Sequence, residues 1–239
     1  MWRLLTVAIA LLGFGDLLAI WMGARRWRYV FKPGTMFLII ALAAGGLSGA
    51  GPYGALVLAG LLFSVAGDIF LVLPRNRFLA GLASFFAAHL CYIAAFGWWS
   101  LGQGAPLARE AALSASAETG GAVAGLAGLA RVPDALLAAA LLVAGVLFFR
   151  RLRPGVLRNG GRRMLLPVGL YIGAISLMVL AAAGTRSPAM VAGALLFYLS
   201  DAILAWNRFV RPLPRADLGV MSTYFAAQYL LANSVLLAG

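Results

Sequence analysis

Residues 61–78 read LLFSVAGDIFLVLPRNRF, and residues 195–209 read LLFYLSDAILAWNRF. Each opens on Leu-Leu-Phe, carries one aspartate behind a small residue, and closes on Asn-Arg-Phe. Each belongs to an apolar run that reaches the length a bilayer asks of a helix, about 20 residues for roughly 30 Å of hydrocarbon. An ionisable group inside such a run costs about 2.5–3.5 kcal/mol on insertion scales. The two segments therefore argue for a chain of membrane-spanning helices in which Asp68 and Asp201 are retained for a purpose.

The whole composition agrees. Of 239 residues, 63% are hydrophobic and 11% charged, and the mean hydropathy is +0.96. A soluble domain carries about 25% charged residues, so a soluble fold and disorder are both excluded. The single cysteine, Cys91, excludes an intrachain disulfide and a Cys-rich metal site, and the single histidine excludes a multi-histidine zinc centre. No metal and no cofactor is expected.

Eight spans are predicted, near residues 4–22, 34–50, 53–73, 78–100, 133–149, 164–183, 187–206 and 217–238. They make one transmembrane domain over residues 1–239, an all-α polytopic bundle. The first span is kept as a span rather than a signal peptide, because it contains Asp16 and runs into Arg25-Arg26 without a clear cleavage site. The Gly-, Ala- and Ser-rich stretch 102–132 reads as an external loop insertion.

The net charge of +12, which in a soluble chain would suggest nucleic acid, here reports topology. Fifteen basic residues fall in alternate connections: Arg25, Arg26, Arg28 and Lys32; Arg75 and Arg77; the six arginines between 150 and 163; and Arg208, Arg211 and Arg215. Only Arg3, Arg109, Arg131 and Arg186 fall on the other side. The basic connections are expected in the cytoplasm and both termini outside it, in a bacterial inner membrane. No nucleic-acid partner is expected, and the sequence is silent on oligomeric state.

Asp68 and Asp201 each lie five residues before the cytoplasmic end of their predicted span. At a rise of 1.5 Å per residue both sit about 8 Å inside the same face. The segments that carry them are four spans apart, which a parallel 4+4 internal repeat or plain convergence of membrane composition would each produce. His89 shares a helix face with Phe85 and Tyr92, Tyr224 shares one with Gln228, and Pro167 shares one with Tyr171. Lys32-Pro33 opens the second span on the aspartates' side. These groups point to a polar, half-buried cavity, although tyrosines near helix ends also serve as interface anchors and a lone histidine also bonds a neighbouring helix. Asp16 reads as a structural pair. Gly45/Gly49 and Gly169/Gly173 read as close helix packing.

With these residues together, the chain resembles the YhhN/TMEM86 family of membrane proteins, whose characterised members are lysoplasmalogenases. The resemblance rests on Lys32-Pro33, Gly67-Asp68 followed by Phe70-Leu71, Phe85-x3-His89-x2-Tyr92, Phe197-x2-Ser200-Asp201-x2-Leu204-Ala205, Asn207-Arg208-Phe209 and Tyr224-x3-Gln228. It extends from the second span to the eighth, and the 102–132 stretch is its departure. It implies an eight-helix bundle that hydrolyses the vinyl ether of a lysophospholipid drawn from the membrane lipids, with the catalytic role on Asp68 and Asp201. Lys32, His89, Tyr92, Tyr171, Asn207, Tyr224 and Gln228 are then expected to bind substrate or orient water.

The chemistry suits the residues. Protonating the β-carbon of a vinyl ether gives an oxocarbenium ion, and paired carboxyls around such an ion serve glycosidases in the same way. A proton-coupled transporter and a non-catalytic lipid-binding protein are the competing classes. The transporter would place helix breaks beside the aspartates.

Overall fold

The computed structural model describes residues 2–72, 77–115 and 122–238, with the side chains of residues 72 and 103–132 outside that description. The described residues form eight α-helices and no strand: α1 (Trp2–Trp21), α2 (Arg25–Gly45), α3 (Leu47–Val72), α4 (Phe78–Ala115), α5 (Ala122–Gly160), α6 (Leu165–Gly184), α7 (Pro188–Phe209) and α8 (Ala216–Ala238). A 3-10 turn, Arg162–Met164, leads into α6. The chain is thus a polytopic helical membrane bundle.

Seven of these helices are long and apolar enough to cross a membrane. The exception is α2, which begins at Arg25 rather than near residue 34. Arginine is a good helix former, so nothing stops the helix from extending through the basic run. Arg25, Arg26, Arg28 and Lys32 then occupy its first two turns, and Lys32-Pro33 lies inside the helix instead of opening it. The stretch 102–132, expected as a loop, is helical on both flanks, since α4 continues to Ala115 and α5 starts at Ala122. Its alanine content favours this. The apolar spans themselves end at Gly102 and resume at Pro133. Arg75 and Glu118 fall outside the described residues, as do the side chains of Arg109, Glu110 and Arg131.

The helix breaks have local causes. Gly51, at φ +54°, takes a backbone conformation that L side chains rarely adopt and bends the start of α3 just before Pro52. Gly23, at φ +68°, does the same between α1 and α2. Pro188 occupies the first turn of α7, where its missing N–H costs nothing.

α8 is the central post, with 56% of its span buried, whereas α5 is an outer helix with 11% buried. Neighbours in sequence pack in pairs, and the pairs recur four helices on: α1–α2 as α5–α6, α2–α3 as α6–α7, and α3–α4 as α7–α8. The contact of α2 with α8 is matched by that of α6 with α4. Ile39, Leu42, Leu61, Phe96, Met178, Phe197 and Leu231 are fully buried between them. Leu11 and Phe14 of α1 and Leu142 and Leu147 of α5 stay exposed on the outer surface, as lipid-facing residues do.

The two glycine pairs expected at close helix contacts differ from each other. A Cβ at Gly45 would run into the Trp2 ring, at 1.9 Å, but one at Gly173 would meet nothing within 4 Å. Gly173 therefore faces open space rather than a close helix crossing. The tight approach lies at Gly155, where a Cβ would come within 1.6 Å of the Phe209 carbonyl oxygen. Because that obstacle is backbone, Gly155→Ala is expected to push α5 off the end of α7 and to cost roughly 1–3 kcal/mol. Gly173→Ala is expected to leave stability unchanged. Thermal unfolding midpoints in detergent test both, and equal midpoints for the two variants would contradict this packing.

Candidate active site

Asp68 stands one turn before the end of α3. Its Oδ1 is 2.8 Å from Nζ of Lys32 on α2, and its Oδ2 accepts a hydrogen bond of 2.8 Å from the Tyr224 hydroxyl on α8. The charged pair is nearly desolvated, with side chains 12% and 11% exposed for Lys32 and Asp68. In such surroundings a lone charge is costly and each partner depends on the other. One turn along α8, Gln228 accepts the Tyr92 hydroxyl at 2.8 Å through Oε1. The amide Nε2 of Gln228 has no hydrogen-bond partner among the described residues.

Asp201 on α7 is held by different chemistry. Its Oδ2 accepts the Tyr171 hydroxyl of α6 at 2.6 Å and lies 3.5 Å from Nε2 of the fully buried His89 on α4. The other ring nitrogen of His89, Nδ1, bonds the Phe85 carbonyl oxygen one turn back. A carbonyl only accepts, so the proton of the neutral ring sits on Nδ1. Nε2 then faces a carboxyl oxygen with no hydrogen of its own. That contact becomes favourable only when one further proton is held between Asp201 and His89, on either partner. Asp68 meets a fixed ammonium, while Asp201 meets a group that can take or give a proton.

Phe197 joins the two halves. Its ring centroid lies 4.8 Å from His89, 5.6 Å from Tyr224, and 6.2 Å from both Phe85 and Tyr92. One ring therefore touches a neighbour of each carboxylate, Tyr224 for Asp68 and His89 for Asp201, and fixes their relative placement.

A cavity opens beside this wall, lined by Leu71, Leu82, Phe85, Leu152, Val168, Tyr171, Ile175 and Asp201 among others. Of the two carboxylates only Asp201 borders it. The sequence pointed to one polar cavity shared by both. The structure gives instead an almost wholly apolar cavity with Asp201 at its edge, and Asp68 stands beyond Phe85, against which the Tyr224 ring packs at 6.1 Å. The reason is that the tyrosines and phenylalanines near the aspartates fill the space between them.

Of the residues expected at the site, Lys32, Asp68, His89, Tyr92, Tyr171, Asp201, Tyr224 and Gln228 fall into this one connected group. Asn207 does not. Its Oδ1 accepts the Leu213 backbone N–H at 2.8 Å, in the turn between α7 and α8. Three charged residues that the sequence reading left out of the site stand next to it. Asp16 on α1 is completely buried, 3.7 Å from Nε of Arg28, and Arg28 reaches Asp217 at 2.8 Å. The available signal was position, for Asp16 lies near the end of α1 much as Asp68 lies near the end of α3.

The chain matches the family model described as the YhhN family over residues 27–235. It is 33% identical to lysoplasmalogenase TMEM86B of Homo sapiens over 193 residues, which cover 80% of this chain and 67% of the relative. It is 31% identical to lysoplasmalogenase TMEM86A of Homo sapiens over 219 residues, 87% of this chain and 72% of that one. With the membrane protein YhhN of an Escherichia coli strain it shares 38% identity over 87 residues, 36% of this chain and 41% of the relative. No solved structure matches.

The Lys32–Asp68 contact makes a specific claim on stability. Lys32→Met strands a desolvated carboxylate and is expected to cost about 3 kcal/mol. Adding Asp68→Asn to it removes the stranded charge and is expected to recover much of that loss. Unfolding of the single and double variants in detergent decides this. A single variant as stable as the native protein would show that the pair does not hold α2 to α3.

Proposed function

The chain belongs to the YhhN family, and we propose that it hydrolyses the vinyl ether bond of lysoplasmalogens, releasing a fatty aldehyde and glycerophosphoethanolamine or glycerophosphocholine. The observation that carries the reading is the division of labour between the carboxylates. Asp68 is ion-paired with Lys32, whereas Asp201 lies 3.5 Å from Nε2 of His89 and borders an apolar cavity.

The substrate's single chain lies in that cavity, among Leu82, Leu152, Val168 and Ile175, which contribute no polar group to oppose it. The vinyl ether then sits at the cavity's polar edge. The proton held between Asp201 and His89 passes to the β-carbon of the double bond, leaving an oxocarbenium ion at the carbon bonded to oxygen. The Asp201–His89 pair, having given up its proton, offsets the positive charge and takes a proton from the water that adds to that carbon, while Asp68, held by Lys32 and Tyr224 behind Phe85, positions the aromatic wall beside it. The resulting hemiacetal collapses. The aldehyde leaves as the hemiacetal's hydroxyl proton passes to the glycerol oxygen, and the Asp201–His89 pair ends with the proton it took from water. Tyr171 and Tyr224 donate to one carboxylate each and set their orientation. In sum, one water is consumed, one C–O bond breaks, and no electron transfer is needed.

Helix continuity favours this over transport. A transporter site at mid-membrane is built from broken helices, yet the one non-helical position inside α3 is Gly51, far from Asp68, and α7 is helical throughout. We further propose that α2 crosses the membrane with its basic first turns among the headgroups. Its 21 residues span about 31 Å. The basic connections then lie in the cytoplasm and both termini outside, in a bacterial inner membrane.

Asp68→Asn and Asp201→Asn are each expected to lower aldehyde release from a lysoplasmalogen by at least about a hundredfold while the purified protein still elutes as a folded species. His89→Gln is expected to impair the reaction less than Asp201→Asn, because the carboxyl remains to donate. Full activity in either aspartate variant would remove the two-carboxylate mechanism.

A further inference from the structure

At the end of the bundle that carries Asp68, α1, α2 and α8 bring together a second charged group that the reaction does not use. Asp16 is 0% exposed, and neither of its oxygens has a hydrogen-bond partner among the described residues. Its nearest cation is Arg28, whose Nε stands 3.7 Å away and is likewise unpartnered. On its outer side Arg28 donates through its terminal nitrogen to Asp217 at 2.8 Å. Asp217 is 56% exposed and Arg28 27%, so charge runs from the surface inward as carboxylate, guanidinium, buried carboxylate.

The group is placed in register with the reaction site. Arg28 is one helical turn, about 6 Å, outward of Lys32 on α2. Asp217 is two turns outward of Tyr224 on α8, about 10 Å. Lys32 and Tyr224 are the two groups that hold Asp68. A lysophospholipid whose ether oxygen lies at the depth of the carboxylates therefore has its phosphate, three glycerol carbons further out, at the depth of Arg28. Whatever follows the phosphate reaches the depth of Asp217.

We propose that Arg28 and Asp217 form the headgroup subsite and select a zwitterionic phosphoamine headgroup. The Arg28–Asp217 ion pair is the charge complement of such a headgroup: on binding, the phosphate takes Arg28, the ammonium takes Asp217, and one exposed ion pair is exchanged for two. Asp16 is a positioning residue. As a buried carboxylate next to one guanidinium, it keeps Arg28 at the site when Asp217 turns to the ligand. The proposal rests on the lysophospholipid reading above and adds to it the chemistry that tells one headgroup from another.

The test uses two ligands that the reaction does not consume, a 1-O-alkyl lysophosphatidylethanolamine and the matching 1-O-alkyl lysophosphatidic acid, which lacks the amine. Each displaces a fluorescent lysolipid from the full chain in nanodiscs. The native protein is expected to prefer the amine-bearing ligand, and Asp217→Asn to reduce that preference about five- to tenfold, as loss of one charge-assisted contact would. Asp217→Lys is expected to reverse it. Asp16→Asn is expected to weaken both ligands alike, because it acts through Arg28 and the phosphate. Asp134→Asn, which removes the exposed ion pair with Arg186 at the opposite end of the bundle, is expected to leave the preference as it was. An unchanged preference in both Asp217 variants, or an equal change in Asp134→Asn, overturns the proposal. Because neither ligand is hydrolysed, that outcome is separate from a failure of the native protein to release aldehyde, which would count against the reaction alone.

Discussion

A carboxylate in hydrocarbon is tolerated only when its partners are brought to it. Asp68 and Asp201 each draw on two further helices to meet that demand. Asp68 takes Lys32 from α2 and Tyr224 from α8. Asp201 takes Tyr171 from α6 and His89 from α4. Six of the eight helices are thereby tied to two side chains, and the crossing of α2 with α8 and of α4 with α6 follows from the same requirement. Phe197 then fixes the two sets against each other, which is why a packing residue stands at the centre of a chemical site.

The two sets also follow one pattern. Each carboxylate is served by the helix that precedes its own and by one from the other half of the chain, α8 for Asp68 and α4 for Asp201. The pattern is what a parallel arrangement of two four-helix units would yield, with Lys32 in the place of Tyr171 and Tyr224 in the place of His89. The substitutions are where the chemistry diverges. One carboxylate faces the fixed cation of Lys32 and the other the imidazole of His89.

Much of this was legible in the sequence, for a physical reason. Composition and run length reveal helices that cross a membrane, and charge inside those runs is expensive enough to mark Asp68, Asp201 and His89 before any contact is known. The extent of α2 was not legible, because hydropathy sees where a helix becomes apolar and is blind to basic turns that precede it. Nor was the cavity. Polar residues on adjoining faces suggested a polar space, but their rings fill it, and what stays open is lined mostly by aliphatic and phenylalanine side chains, with Asp201 at its edge. Asn207 matched a motif and yet serves a turn. Asp16 stood in plain view in α1, but its neighbours Arg28 and Asp217 lie on α2 and α8 and are brought beside it only by the packing of three helices.

The central claim is that a proton held at Asp201 and His89 is delivered to carbon and that water captures the resulting cation beside the same pair. The most direct measurement is hydrolysis of a lysoplasmalogen by the purified protein in heavy water, with the aldehyde reduced as it forms and its mass determined by position. The expected product carries one deuterium on the carbon adjacent to the carbonyl, the former β-carbon of the vinyl ether. Aldehyde without deuterium at that carbon, or none formed at all, would contradict the account.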